Sequence, residues 1–322
     1  MLITMLLLVS CSKEQLVTRE PTEPAETPQQ TNNSINAMFV QVCEEGKDVK
    51  GPWKGDLMLS RMDDSTMRTG EEQLFAESGG VPTVVEDANG RLISAFQWFS
   101  CDNEEAFDKV AVKISEDEGV TWSDPETVKF EELPEEYQRP FDPTLVLTED
   151  GKIRMYFTSN NSGTMMLDKT NKIYSAISED GVNYTFEPGV RFEVENAPAY
   201  DSAVGYFKGL WYLLTPQNDE QPKGAHFATS EDGLTFTTQE DIIPSIEVNW
   251  TGNFLAKENA LYFYGTPNGK DGNWYTKTED GKTWSEPIYL KSNYGGDPSV
   301  FCPDNGDCLV IGTMMAKKKD SI

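Results

Sequence analysis

A short acidic turn recurs four times in this chain, and that repetition limits the available folds more than any other feature. Its copies are ISEDEGVTW (Ile114–Trp122), ISEDGVNY (Ile177–Tyr184), TSEDGLTF (Thr229–Phe236) and KTEDGKTW (Lys277–Trp284). Each has a Ser or Thr, a Glu, an Asp, a Gly soon after and a closing aromatic. These residues suit a tight β-hairpin, in which the Asp carboxylate accepts backbone N–H groups and Gly supplies a positive φ. The aromatic then folds back onto the sheet. The segments that lead into the turns (KVAVKIS, KIYSAIS, AHFATS, NWYTKT) alternate or are apolar, as strands do.

A second element lies between the turns and reads as two strands joined by a short loop. Its five copies begin at Val81, Asp142, Asp201, Thr251 and Asp297. Strand, loop, strand, strand, acidic turn, strand makes a four-stranded antiparallel meander of about 45 to 60 residues, the size of one propeller blade. No segment has a useful helical period, so an all-β β-propeller is expected. Five inner pairs against four good outer hairpins leave one hairpin to find. GDLMLSRMDDSTM (Gly55–Met67), followed by QLFAE, reads as a decayed acidic turn. An N-terminal hairpin that completes the C-terminal blade closes the ring and removes exposed sheet edges. Five blades are favoured; six stays open, because Met38–Cys43 and Met314–Lys319 could add strands.

The turns resemble the Asp-box, the bacterial neuraminidase repeat with the pattern Ser/Thr-x-Asp-x-Gly-x-x-Trp. Ser115, Asp117, Gly119 and Trp122 match it fully, and the copies around Asp180, Asp232 and Asp280 match a version one residue shorter. The resemblance covers about Gly55 to Gly312 and implies a sialidase-like propeller in which Asp117, Asp180, Asp232 and Asp280 are structural. It does not fix activity, because one fold hosts many functions. Sialidases grip a substrate carboxylate with three arginines, the first in an Arg-Ile-Pro motif at the first inner strand. Here that place reads Gly80-Val81-Pro82, and the blades hold few arginines (Arg91, Arg139, Arg154 and Arg191 among them). Sialidase activity is therefore not expected, since a bidentate guanidinium is hard to replace at a carboxylate site.

Charge and the N-terminus bear on partners and compartment. With 54 acidic and 27 basic side chains the formal charge is −27, which repels phosphate backbones and argues against a nucleic-acid partner. Met1–Ser10 is apolar, too short to span a bilayer, and runs through Leu8-Val9-Ser10 into Cys11. This resembles a bacterial lipoprotein signal (residues 1–11) that would leave Cys11 lipidated, although no basic residue precedes the apolar run. Residues 12–36, rich in Pro, Thr, Glu, Gln and Asn, read as a disordered tether, and residues 37–322 as a single domain. An exported protein anchored to a membrane, facing the periplasm or the cell exterior, is expected. The four remaining cysteines suggest disulfides: Cys302 with Cys308 across a turn-rich loop, and Cys43 with Cys101, among three connectivities in principle.

Propellers set the first residues of their inner strands around one end of the axis. Asp142, Asp201 and Asp297 hold such positions and form a candidate acidic funnel, beside Val81 and Thr251. Two carboxylates across a glycosidic bond can act as acid and base or as acid and nucleophile. This resembles five-bladed glycosidases that carry acids on inner strands. Glu195, with Glu193, is a further candidate acid; Arg139 is a candidate grip on an acidic or hydroxylated sugar; Tyr200 and Trp250 are candidate stacking platforms. His226 is the single histidine, read as a packing residue, and its isolation argues against Ser/His/Asp catalysis and histidine-bound zinc. No zinc spacing and no full calcium loop occurs, so neither a metal nor another cofactor is expected. The leading expectation is a monomeric, carbohydrate-directed surface protein, hydrolysing or binding glycans. The alternative is a non-catalytic scaffold or assembly factor that binds a surface protein.

Overall fold

Each apolar run between the turn residues becomes a strand, and most strands pair with their nearest neighbour along the chain. The structure is a computed structural model that describes residues 35–45, 51–137, 139–161, 169–217, 224–268, 272–290, 294–303 and 306–315. The chain enters the sheets through β1 (Gly55–Asp63), β2 (Arg68–Thr69) and β3 (Gln73–Ala76). The first blade is β4 (Gly79–Glu86), β5 (Leu92–Phe99), β6 (Phe107–Ser115) and β7 (Glu126–Thr127). Next β8 (Lys129–Glu131) pairs parallel with the outer strand of the second blade, whose own strands are β9 (Phe141–Leu147), β10 (Ile153–Ser159), β11 (Lys172–Ser178) and β12 (Asn183–Phe192). The third blade is β13 (Ala203–Phe207), β14 (Leu210–Pro216), β15 (Ala225–Ser230) and β16 (Thr237–Thr238). The fourth is β17 (Gly252–Ala256), β18 (Leu261–Gly265), β19 (Trp274–Thr278) and β20 (Ile288–Tyr289).

The fifth blade joins the two ends of the chain. Its inner strands are β21 (Gly296–Phe301) and β22 (Cys308–Met315), and β1 pairs with β22 from Gly55↔Met315 to Met62↔Cys308. The inner strands form a closed circuit: β4 touches β9, β9 touches β13, β13 touches β17, β17 touches β21, and β21 returns to β4. The protein is a five-bladed β-propeller.

The core lies in the seams between blades. Five apolar clusters fill the five seams, for example Ile93, Val112, Met155 and Phe157 between the first and second blades, and Tyr212, Phe227, Trp250 and Phe263 between the third and fourth. Trp274, Tyr156 and Tyr184 are fully buried in these seams. Each such side chain contributes about 1.5–3 kcal/mol relative to an exposed position.

The acidic turns follow one plan. Asp180 Oδ1 accepts the N–H groups of Val182 and Asn183 at 2.8 Å, and Asp280 Oδ1 accepts those of Lys282 at 2.8 Å and Thr283 at 2.7 Å. The hydroxyls of Ser115, Ser178, Ser230 and Thr278 donate to the turn Asp and accept the N–H of the turn Gly. Asp63 does the same work in the fifth blade, where its Oδ1 accepts from the Thr66 N–H at 2.7 Å. A cation of one blade reaches the turn of the next, five times around the ring. Arg61 bonds the Glu118 carbonyl (3.0 Å), Arg91 that of Asp180 (3.5 Å), Arg154 that of Asp232 (3.3 Å) and Lys208 that of Glu279 (2.9 Å). Lys257 completes the set on the Asp64 carboxylate.

Two expectations change. Met38–Cys43 is not a strand: residues 35–44 are helical, and Ile35 and Phe39 pack on Phe99 and Phe107, so the folded part takes in residues 35 and 36. The reason is that the first blade already has its full set of strands and leaves this segment an apolar shelf rather than an edge. A Cys43–Cys101 disulfide ties the segment down, and Cys302–Cys308 spans the β21–β22 loop. Residues 1–34, including Cys11 and most of the tether, and residues 316–319 lie outside the described residues. No helix among the described residues is long and apolar enough to cross a membrane.

Candidate functional site

The start of an inner strand is a conformationally unusual place in this fold. Val81, Asp142, Asp201 and Asp297 all have left-handed backbones, with φ of 49°, 51°, 49° and 48°. In the first, second and fifth blades the register slips at this point, between Gly80 and Thr83, Tyr156 and Thr158, and Gly296 and Ser299. A bulge of this kind adds an unpaired residue and re-aims its side chain. The fourth blade instead places Thr251 before Gly252. Just beyond, Asn253 Nδ2 reaches across the axis from the fourth blade to the Pro82 carbonyl of the first at 3.0 Å.

The three aspartates feel one another there. Burial, then the charge of Asp297, pushes Asp142 up to about 7, against the opposing influence of Arg139, the Thr158 hydroxyl and the Asp201 N–H. Asp201 is raised well above the usual carboxylate range by burial and by the charges of Asp297 and Asp142. Burial also raises Asp297, which the hydroxyls of Thr251 and Thr266 partly offset. Burial thus favours the neutral form of all three, and the charge of Asp297 adds to it at Asp142 and Asp201. A carboxyl held toward its neutral form can serve as a proton donor, one half of paired acid and base work. The carboxylates are not drawn together as ligands of one ion. Among the described residues, the group of three acidic or sulfur ligands within 4.8 Å of one another is Asp64, Cys302 and Cys308, whose sulfurs form a disulfide.

Threonines at the ends of the second strands support the aspartates, and sequence reasoning missed them. Thr158 donates to Asp142 Oδ2 at 3.3 Å and accepts the Asp201 N–H at 3.1 Å, so it links two blades. Thr266 accepts the Asp297 N–H at 2.7 Å and approaches its Oδ1 at 3.3 Å. The signal was present: MYFT, YLLT, FYGT and VIGT end the second strands at Thr158, Thr215, Thr266 and Thr313.

The other candidates divide. Arg139 lies at the second blade with its Nε on Asp108 and its guanidinium 4.9 Å from the Phe141 ring centre. Tyr200 is 9% exposed, so little of its ring is open to a ligand. Trp250, the other candidate platform, is 3% exposed and packs edge-on against Trp274, 4.9 Å between ring centres, inside a seam. Glu195 is exposed on the turn after β12, and among the described residues no hydrogen bond or ion pair joins it to the funnel aspartates. His226 sits 3.2 Å from Asp241 and 3.1 Å from Gln217, a polar cluster away from the trio. Arg154 forms a two-bond pair with Glu187 at 2.8 and 2.9 Å, and Arg191 bonds Ser175 and the Glu187 carbonyl. With Arg91 held by Asp87, no arginine triad assembles at the funnel among the described residues.

No protein-family model matches this chain, and no curated protein matches it. Solved structures share its fold. A Hadza microbial sialidase is 15% identical with a TM-score of 0.54, over 86% of this chain and 62% of the sialidase chain, so the match spans less than two thirds of that protein. An α-L-arabinofuranosidase from Lactobacillus brevis is 14% identical, TM-score 0.53, over 76% of this chain and 86% of its own. A family 117 glycoside hydrolase from Zobellia galactanivorans is 15% identical, TM-score 0.51, over 75% and 77%. The architecture of this chain is the propeller fold found in these sialidase and glycoside hydrolase structures.

Proposed function

We propose that the protein acts on glycans at the inner-strand starts of its propeller, as a glycoside hydrolase that uses Asp201 as the proton donor and Asp297 as its partner carboxylate. The observation that carries this reading is the placement of Asp142, Asp201 and Asp297 at left-handed strand starts, where burial holds all three above the usual carboxylate range. Burial and both neighbouring charges act on Asp201 in the same direction, which suits a carboxyl that must stay protonated until it meets a leaving oxygen. Asp297 is steadied by Thr266 and suits a base toward water or a nucleophile toward the anomeric carbon. In the overall reaction Asp201 gives its proton to the glycosidic oxygen, the bond to the anomeric carbon breaks, and water supplies the new hydroxyl. The glycosidases among the structural neighbours support a carbohydrate substrate. The missing arginine triad argues for an uncharged sugar over a sialoside.

The purified protein, assayed on a panel of aryl glycosides and on a glycan array, is the direct test. Turnover of one glycoside class is expected, and silence on both would end the proposal. Asp201→Asn and Asp297→Asn should each cut kcat by about 10²–10⁴-fold with little change in the unfolding midpoint.

We also read the four acidic turns as Asp-boxes, and the N-terminus as a lipoprotein signal that anchors the exported protein through Cys11. The turn sequences, the apolar run before Cys11 and the two disulfides support this. Expressed in a bacterial host with an alkyne-labelled fatty acid, the protein should take up label and sediment with membranes. Cys11→Ser should lose both properties, and a labelled Cys11→Ser protein would refute the anchor.

A further inference from the structure

We propose that Asp108, braced by Gln97, is a positioning residue that holds the Arg139 guanidinium beside Asp142. This deepens the reading of the funnel given above, but its test does not depend on turnover. Asp108 begins the third strand of the first blade, is 3% exposed and has a φ of 59°. One of its oxygens accepts from Gln97 Nε2 at 2.8 Å and the other from Arg139 Nε. The carboxylate is therefore pinned by two donors from opposite elements, β5 and the segment that leads into β9. Arg139 is pinned in turn, by Asp108 on its edge and by Phe141 under its face.

Gln97 occupies, in the first blade, the place that Thr158 holds in the second. It pairs across the sheet with Gly80, beside the bulge, as Thr158 pairs with Phe141. Thr158 serves the funnel directly; Gln97 turns to Asp108, because the bulge residue of its own blade is Val81 and offers no carboxylate. The first blade thus contributes to the trio indirectly, through Asp108 and Arg139. Asp142 feels the charges of Asp297 and Arg139, Asp201 those of Asp297 and Asp142, and Lys109 those of Asp108 and Arg139.

The geometry makes an unusual forecast for Asp108→Asn. Removing an anion would, by charge alone, ease ionisation of Asp142 and lower its midpoint. If Asp108 positions Arg139, the asparagine cannot accept from Nε through its amide nitrogen, the guanidinium leaves Asp142, and the midpoint rises instead. The measurement is a carboxyl-carbon NMR titration of the full chain, with the Asp142 signal assigned by its loss in Asp142→Asn. Arg139→Gln should raise the Asp142 midpoint, Asp108→Asn should raise it in the same direction, and the double variant should add nothing further. A fall or no change in Asp108→Asn, or additive shifts in the double variant, would overturn the proposal. Asn tolerates the left-handed backbone and nearly matches Asp in volume, so the variant should fold. If it does not, Gln97→Leu frees the same carboxylate and must shift the midpoint upward for the proposal to stand. An inert protein on every glycoside would sink the hydrolase reading and leave this result intact.

Discussion

At the residue scale, the propeller uses aspartate in two opposite electrical states, and stability should record both. The funnel carboxyls are raised, Asp142 to about 7, chiefly by burial and by one another. Asp180 goes the other way: burial would raise it, but the N–H groups of Asn183 and Val182 and the Asn183 and Ser178 side chains pull it down to about 2. A raised group binds more protons folded than unfolded, so its stability contribution is full below its unfolded value near 4 and is lost as pH climbs through about 7. A lowered group contributes above its unfolded value and loses that as pH falls toward 2. The urea midpoint should therefore be higher at pH 5 than at pH 8, and Asp142→Asn should shrink that difference. A wild-type midpoint that rises between pH 5 and pH 8 would contradict the raised funnel carboxyls. The funnel aspartates were legible because each stands at the start of an inner strand. Their raised affinity for protons was not, since burial and the neighbouring charges come from blades that lie far apart in sequence. Trp250 illustrates the same limit: an aromatic before an inner strand looks alike in sequence whether it faces a ligand or a seam.

At the scale of the element, the acidic turn proves to be a joint between blades as well as a hairpin. A Cβ at Gly281 would fall 1.9 Å from the Tyr212 hydroxyl oxygen of the preceding blade. Its φ is 74°, so the missing side chain serves both the backbone and the fit. Gly209, in the β13–β14 loop, has a φ of 81° but nothing within 4 Å of the same position. The pair separates the two demands. Gly209→Ala should cost about 1–2 kcal/mol for the left-handed backbone alone. Gly281→Ala should cost that plus about 1–3 kcal/mol of overpacking. Equal losses for the two variants in urea unfolding would mean that the turn does not grip its neighbour. The repeated Ser/Thr-Glu-Asp-Gly pattern announced the hairpin but not the joint. The five bridging cations, Arg61, Arg91, Arg154, Lys208 and Lys257, share no local motif and come from different strands and loops. What they share is a place on the neighbouring blade, which only the ring defines.

At the scale of the whole molecule, everything rests on closure, because each seam cluster needs two blades and the fifth blade needs both ends of the chain. The sequence made closure legible through arithmetic: five inner pairs, four outer hairpins and a fifth hairpin left over at the N-terminus. It could not place the segment around Cys43, whose apolar residues suit a strand or a helix equally until the first blade is seen to be full. Strand β1 is the clasp. Met58 lies in its middle, opposite Gly312 of β22 on one side and Leu74 of β3 on the other. Proline there removes an N–H from an interior strand and clashes with the ladder, at a cost of about 3 kcal/mol or more. Thr238 sits on β16, a two-residue exposed edge strand, where proline should cost no more than about 0.5 kcal/mol. The larger effect of Met58→Pro should be qualitative. With the clasp released, β22 presents a long unpaired edge, and such edges pair with other chains. Light scattering should therefore find Met58→Pro associating in a concentration-dependent way while Thr238→Pro behaves like the wild type. A Met58→Pro protein that stays dispersed and as stable as the wild type would mean that the ring does not depend on its N-terminal strand.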